Sequence, residues 1–411
     1  VLLASEQMGV IDDVLDGLER HMDDSSFAAT AAAAPSADVD WLARLARILG
    51  LVGGRSVTPT ASDVVDIAST GGPGSLSTLI APLYARALGA RVSKIGVPGR
   101  PAGGIDVLGS LPGYQTQRSA DSARRVLDAC GYLHVAAGIE FCPLDARFFS
   151  WRQHYGAQAV PNLAIASLLA KKVAAGVGRF VLDVRVGPHG NFGATLPEAR
   201  EHARRLIAVA EQLGIVAVCV LEKSAGVAQP WIGRGEALVA LAKVFRRGEL
   251  GSLLRDHANR CLIMATLAVG LDEPVATSAS LELAGLHEDM LAAHGADPRV
   301  FWTRQEAVAS AERRPIVAES LGILAVDLAT IRGVLVGRQR EMPPVLGTSY
   351  PDPCGLVLTV APGVRVKEGT VIAQVRDTDN PLQLVDRLRA GFTVTHEPDR
   401  CDGPEMEVIR G

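Results

Sequence analysis

Long apolar runs are missing from this chain. The longest, "CLIMATLAVGL" from Cys261, falls short of the roughly 20 residues that a membrane-spanning helix requires, and it reads as a buried element. Basic blocks are missing as well. No lysine/arginine cluster or aromatic-interleaved basic stripe interrupts a chain of formal net charge −4, which argues against a nucleic-acid surface. The six cysteines, at 130, 142, 219, 261, 354 and 401, show no C-x-x-C spacing. A disulfide framework or a zinc site is therefore not expected, and a reducing cytoplasm is the expected setting. The opening "VLLASEQMGVIDDVLDGLERH" lacks the basic flank and small-residue cleavage pattern of a signal peptide. It begins on valine and leaves room for an upstream start. Lysine is scarce: Lys94, Lys171, Lys172, Lys223, Lys243 and Lys367 are six among 41 basic residues. An adjacent lysine pair inside an apolar helix therefore calls for an explanation.

What is present points to several domains, because 411 residues exceed one ordinary core. Residues 1–60 read as helices, with "IDDVLDGLERHM" and "VDWLARLARILGLV" placing apolar residues three and four apart. The alanine-rich, proline-broken "SSFAATAAAAPSAD" between them reads as a loop or frayed helix. From Ser62 the rhythm changes to short apolar strands alternating with helical patterns. These are "VVDIAS", a helix over 77–88, "RVSKIG", a helix near 120–129 and "YLHVAA". Then follow "RFVLDVRVG", a helix over 197–213, "IVAVCVLE" and a helix over 236–245. Near-continuous apolar strands in such alternation predict a parallel sheet covered on both faces. Helices over 145–177 interrupt the pattern and are expected to pack with the opening helices. "GLVLTVAPGVRVKEGTVIAQVRD" has strand alternation around two glycine turns. The expected organisation is α/β. A small helical domain (1–60, with inserted helices 145–177) joins a large mixed or parallel-sheet domain (61–144 and 178–335) and a small C-terminal α/β domain (336–411).

In a parallel sheet, ligands bind beyond the carboxyl ends of the strands. A turn there that opens a helix presents unpaired backbone N–H groups backed by the positive end of the helix dipole. "STGGPGSLST", residues 69–78, fits a phosphate cradle on those grounds, with glycines admitting an anion closely and hydroxyls adding donors. It is neither a Walker loop nor a dinucleotide fingerprint, lacking G-K-[ST] and the G-x-G-x-x-G spacing. A plain strand-to-helix turn with a serine cap fits the same residues.

The segment Asp66-Ile-Ala-Ser-Thr-Gly-Gly-Pro-Gly-Ser75 resembles D-K-H-S-T-G-G-V-G-D of the thymidine/pyrimidine nucleoside phosphorylase family. More distantly, it is similar to anthranilate phosphoribosyltransferase, which shares the family's fold. The likeness continues through "GGIDVLGSLPGY", "PLDARFFSWR", "AIASLLAKKVAAG", "FVLDVRVGPHGNFGATLPEAR" and "GVRVKEGTVIAQV", nearly the whole chain from Val65. The pairing of S-x-L-A-K-K with D-V-[KR]-V-G is its most specific part. The resemblance implies three base-binding groups, Arg152, Ser167 and Lys171, with Arg152 and Lys171 also serving catalysis. Ser167 and Lys171 are four apart, so they share one helix face. Lys172 is expected to point outward. Together the three can donate to both carbonyls of a uracil-like ring, and Ser167 can accept from its N3–H. The resemblance further implies a phosphate site of Ser69, Thr70, Gly71, Gly72, Gly74 and Thr78. No metal and no cofactor are implied, with inorganic phosphate as co-substrate. A homodimer built through the helical domain is implied as well, acting on a small-molecule nucleoside or nucleotide.

The departures cluster on the phosphate side. The family's lysine is Ile67 here, its neighbouring histidine is Ala68, a serine is Gly96 and a threonine is Ala102. Loss of a cation facing a dianion typically costs a few kcal/mol. Arg100 and His189 are candidate replacements, each also readable as an ordinary loop residue. Three readings stay open. One is phosphorolysis of a uracil- or thymine-type nucleoside. The second is a divergent enzyme on an unusual or 5′-phosphorylated substrate, with or without phosphate. The third is a non-catalytic nucleobase-binding protein.

Overall fold

The computed structural model describes residues 13–21, 23–70, 74–187, 192–223, 227–246, 248, 250–274, 281–396 and 406–411. The described residues begin with three helices, α1 (13–21), α2 (Asp24–Ala33) and α3 (Val39–Leu51). The alanine-rich stretch is thus mostly helix. Asp23 caps it by accepting from Ser26 N at 2.9 Å, and alanine carries no helix penalty. Asp38 caps α3 in the same way, accepting from Trp41 N at 2.8 Å.

Next come β1 (Ala61–Ser69), α4 (Ser77–Ala87), β2 (Arg91–Gly96), the short α5 (Gly104–Leu108), α6 (Ala120–Cys130) and β3 (Tyr132–Ala136). Two helices, α7 (Pro143–His154) and α8 (Pro161–Ala175), interrupt the alternation. It resumes with β4 (Val177–Val186), α9 (Leu196–Gln212), β5 (Val216–Lys223), β6 (Trp231–Gly233) and α10 (Arg234–Phe245). After α11 (Ser252–Ala268), α12 (Ala284–Ala293) and α13 (Arg299–Ala309) come β7 (Arg314–Val317), β8 (Gly322–Val326) and α14 (Leu328–Glu341). The chain closes with β9 (Cys354–Leu358), β10 (Arg365–Val366), β11 (Val371–Asp377), α15 (Pro381–Arg389), β12 (Phe392–Thr395) and β13 (Met406–Arg410).

The main sheet has the order β13-β5-β4-β1-β2-β3, parallel throughout except for the antiparallel edge strand β13. One face packs against α3, α8 and α9 in a core that also takes in α1 and α7, so the helical segment and this face share one interior. The other face is covered by α4, α10, α11 and α12. Both faces are therefore dry, as the apolar strands require.

A third core joins β7 to β12 with α14 and α15, and it recruits Val227 and Ile232. This module starts at Arg314, not at residue 336. The last strand, β13, leaves it to pair with β5. The earlier start arises because β7 pairs with β11, which carries the strand alternation seen in the sequence. It also brings α14 over the carboxyl ends of the main sheet.

Candidate active site

A cavity of about 190 Å³ opens beyond the carboxyl ends of β1 and β2. Its walls come from both sides. Ser69, Thr70, Ser75 and Thr78 lie on the β1–α4 turn, and Arg152, Ser167 and Lys171 on the inserted helices. The fold thus brings the expected base-binding trio and the hydroxyls of the glycine turn to one crevice. Arg100 lines it as well. Gly74 stays off the wall and packs toward Val227, where an added Cβ would lie 3.0 Å from that side chain. Gly71, Gly72 and His189 lie outside the described residues.

The trio is held in place by bonds of its own. The Arg152 guanidinium donates to the carbonyls of Ala157 (3.2 Å), Leu163 (3.1 Å) and Gln158 (3.1 Å). Two of its five N–H groups remain. Burial lowers its pKa to about 10, so it stays charged. Lys171 Nζ pairs with Asp145 and donates to Ser167 O at 2.6 Å and Ser167 Oγ at 3.0 Å. Ser167 keeps its own hydroxyl proton and one lone pair. Lys172 does not point outward. Its ammonium is buried against Asp66 and lies 4.8 Å from the centre of the Phe180 ring. The expectation failed because α8 is buried on nearly every side, so neighbouring positions cannot be split into an inner and an outer face.

Asp66 anchors the floor. Lys94 reaches it from β2 and Lys172 from α8. Burial would raise this carboxyl, but the two ammonium groups outweigh it and hold the pKa at about 2. Lys94 sits in the interior of β2, and it also bonds the carbonyl of Ile67, so an ammonium lies behind the position where the family's lysine is absent. Beside it His134 lines the cavity. Burial, and then the charge on Lys94, push its pKa well down and keep the imidazole neutral. Its Nδ1 has no partner among the described residues. Gly96 gives it room, since a Cβ there would lie 3.2 Å from His134 Nε2. The family's serine at that position is thus replaced where an imidazole comes close.

The turn itself is locked from below. Thr70 N donates to Asp183 O at 2.9 Å, and Thr70 Oγ1 accepts from Arg185 N at 2.9 Å. Ser77 Oγ donates to Asp183 Oδ2 at 2.6 Å, and Arg185 Nη2 donates to Ser75 Oγ at 3.1 Å. Arg185 is itself balanced by Asp183 and Glu222. The Leu76 N–H is taken by His257 Nε2 at 2.9 Å. The described part of the turn is therefore an assembled network, and its donors are partly spent in holding shape.

Sequence reasoning missed Asp66, Lys94, His134 and Arg332 as parts of this crevice, and Asp145 as the partner of Lys171 behind it. Two carried a signal: Lys94 is one of few lysines and lies inside an apolar strand, and His134 lies inside another. Arg332 carried none, because it comes from α14 in a module remote in sequence. Among the described residues six cations line the cavity, Lys94, Lys171, Lys172, Arg100, Arg152 and Arg332, against the carboxylate of Asp66. A wall of that composition favours a ligand with negative charge.

Among the described residues no helix is long and apolar enough to cross a membrane. Residues 61–228 match the family model "Glycosyl transferase family, a/b domain". A thymidine phosphorylase of Rhizobium meliloti (strain 1021) is 37% identical over 158 residues, which cover 38% of this chain. The match spans 36% of that relative's length. An anthranilate phosphoribosyltransferase from Saccharomyces cerevisiae aligns at 13% identity with a TM-score of 0.46, over 74% of this chain and 93% of that one. The same yeast enzyme in complex with PRPP and Mg aligns over the same shares with a TM-score of 0.48 and 13% identity. The sequence likeness to the phosphorylase is narrower than the trail of motifs suggests. What it supports is a likeness over part of the chain: residues 61–228 match a glycosyl transferase family a/b domain, and a stretch of 158 residues is similar to a thymidine phosphorylase.

Proposed function

We propose that this chain is a pentosyltransferase that breaks the N-glycosidic bond of a uracil- or thymine-type nucleoside, with phosphate as the acceptor. The observation that carries this reading is the cavity in which Arg152, Ser167 and Lys171 face the hydroxyls of Ser69, Thr70 and Thr78. In the step, a phosphate oxygen forms a bond to the anomeric carbon while the C–N bond breaks. The electron pair leaves on the pyrimidine, and the sugar passes through a cationic, oxocarbenium-like transition state. Lys171 and Arg152 supply fixed positive charge where the base becomes anionic. Asp145 and the backbone carbonyls already hold them, so little reorganisation is needed as the charge develops. The Ser167 hydroxyl orients the ring. Ser69, Thr70 and Thr78 are the donors we assign to phosphate, with Gly71, Gly72 and Gly74 as the remaining members of the expected phosphate motif. On this reading the reaction uses no metal.

Incubation with uridine, thymidine and 2′-deoxyuridine, each with and without phosphate, tests the proposal by chromatography of free base. Phosphate-dependent release is expected. No release from any nucleoside or nucleotide under either condition overturns it.

A further inference from the structure

Two of the cavity's arginines differ from all its other cations. Among the described residues, the guanidinium groups of Arg100 and Arg332 have no hydrogen-bond or ion-pair partner, although both residues are half-buried. Lys94 and Lys172 share Asp66, Lys171 has Asp145, and Arg152 has three carbonyls. Arg100 instead lies over the Phe149 ring, 5.6 Å from its centre. Burial lowers its pKa to about 10, with repulsion from Arg332 the next cause, so the two positive charges press on one another.

This crowding is built in. Gly99, at φ 103, takes a left-handed turn just before Arg100. Asp106 accepts from Gly99 N at 2.8 Å and from Arg100 N at 3.2 Å. Arg234 donates to Asp106 Oδ1 at 2.9 Å, and Gln339 of α14 donates to Pro101 O at 3.1 Å. The last bond ties the Arg100 loop to the helix that carries Arg332. The loop's backbone is fixed while its charged end has no hydrogen-bond or ion-pair partner among the described residues, and the attraction of Asp106 offsets the burial and the repulsion from Arg332 only in part.

We propose that Arg100 and Arg332 form a subsite for an anionic group on the ligand itself, distinct from the phosphate of the β1–α4 turn. The substrate class is then a charged nucleoside: either a nucleoside 5′-monophosphate or a nucleoside whose base bears a carboxylate. A planar guanidinium pair suits either oxyanion, through two-pronged hydrogen bonds. The subsite rests on the pentosyl-transfer reading for the identity of the rest of the ligand.

Calorimetry with uridine, uridine 5′-monophosphate and orotidine tests it on the wild type and on Arg332→Gln, Arg100→Gln and Arg340→Gln. The last replaces an exposed arginine on the same helix and serves as a control for folding. One anionic compound is expected to bind at least about tenfold more tightly than uridine. Which one does so identifies the source of the charge. The ratio should collapse in Arg332→Gln and Arg100→Gln and persist in Arg340→Gln. Equal affinities, a ratio that survives both substitutions, or no binding of any compound overturns the subsite. If base release fails everywhere while the ratio and its collapse hold, the transferase reading falls and the anion subsite stands. Base release from uridine with no preference for charge removes only the subsite.

Discussion

At the floor of the cavity Lys94 and Lys172 converge on Asp66 and Lys171 on Asp145, whereas at its mouth Arg100 and Arg332 have no carboxylate partner among the described residues. The floor lies where the sheet meets the inserted helices, and its charges are buried. An unmatched ammonium there would cost several kcal/mol, so the carboxylates belong to the architecture. The mouth is half-buried, and its unmatched charge is tolerable and available. On the proposed reading, Lys94 and Lys172 hold the fold, Lys171 is held by Asp145 and still faces the cavity, and Arg100 and Arg332 are kept for a ligand. The turn after β1 follows the floor's pattern, with Arg185 set between Asp183 and Glu222.

The comparison breaks most visibly at Asp66. Asp66→Ala leaves two buried ammonium groups without a carboxylate and should lose about 3–5 kcal/mol in urea unfolding. A loss below 1 kcal/mol would put the floor on the same footing as the mouth. A sharper contrast comes from His287, buried away from the cavity against Phe245 and Phe301, with both ring nitrogens unpartnered among the described residues. Burial lowers its pKa from 6.5 to about 3. The unfolded chain takes up the proton first, so the stability this site keeps above about pH 6.5 is lost as pH falls toward 3. His287→Phe should remove that acid sensitivity, at most about 5 kcal/mol, from a pH series of melts.

Within the site, Lys171→Gln should lower kcat/KM for base release by about a hundredfold, the scale of losing one fixed group that stabilises developing charge. A purely structural Lys171 would shift the melting temperature and leave the kinetics of the folded fraction unchanged. The smallest effect belongs to the mouth. Arg332→Gln relieves repulsion and should raise the Tm of the unliganded protein by about 1–2 °C.

The βα rhythm of the main sheet was readable because each strand is a short apolar run bounded by turn residues. The observed β2 is the expected "RVSKIG", and α4 and α6 end within a residue of their expected limits. Asp145 and Asp66 were legible only as letters within longer motifs. Their role is to neutralise lysines brought in from elsewhere, through space, and no periodicity reports that. The facing of Lys172 was misread because a helix buried all round gives no amphipathic contrast. Arg332 was out of reach because its position depends on how the C-terminal module folds back over the sheet, with β13 rejoining β5.

Crystals soaked with phosphate and uridine 5′-monophosphate give the most direct test. The account predicts density for one anion within hydrogen-bond reach of Ser69, Thr70 and Thr78, a pyrimidine ring against Arg152, Ser167 and Lys171, and a second anion between Arg100 and Arg332. A cavity without any anion at saturating concentrations of both would contradict it.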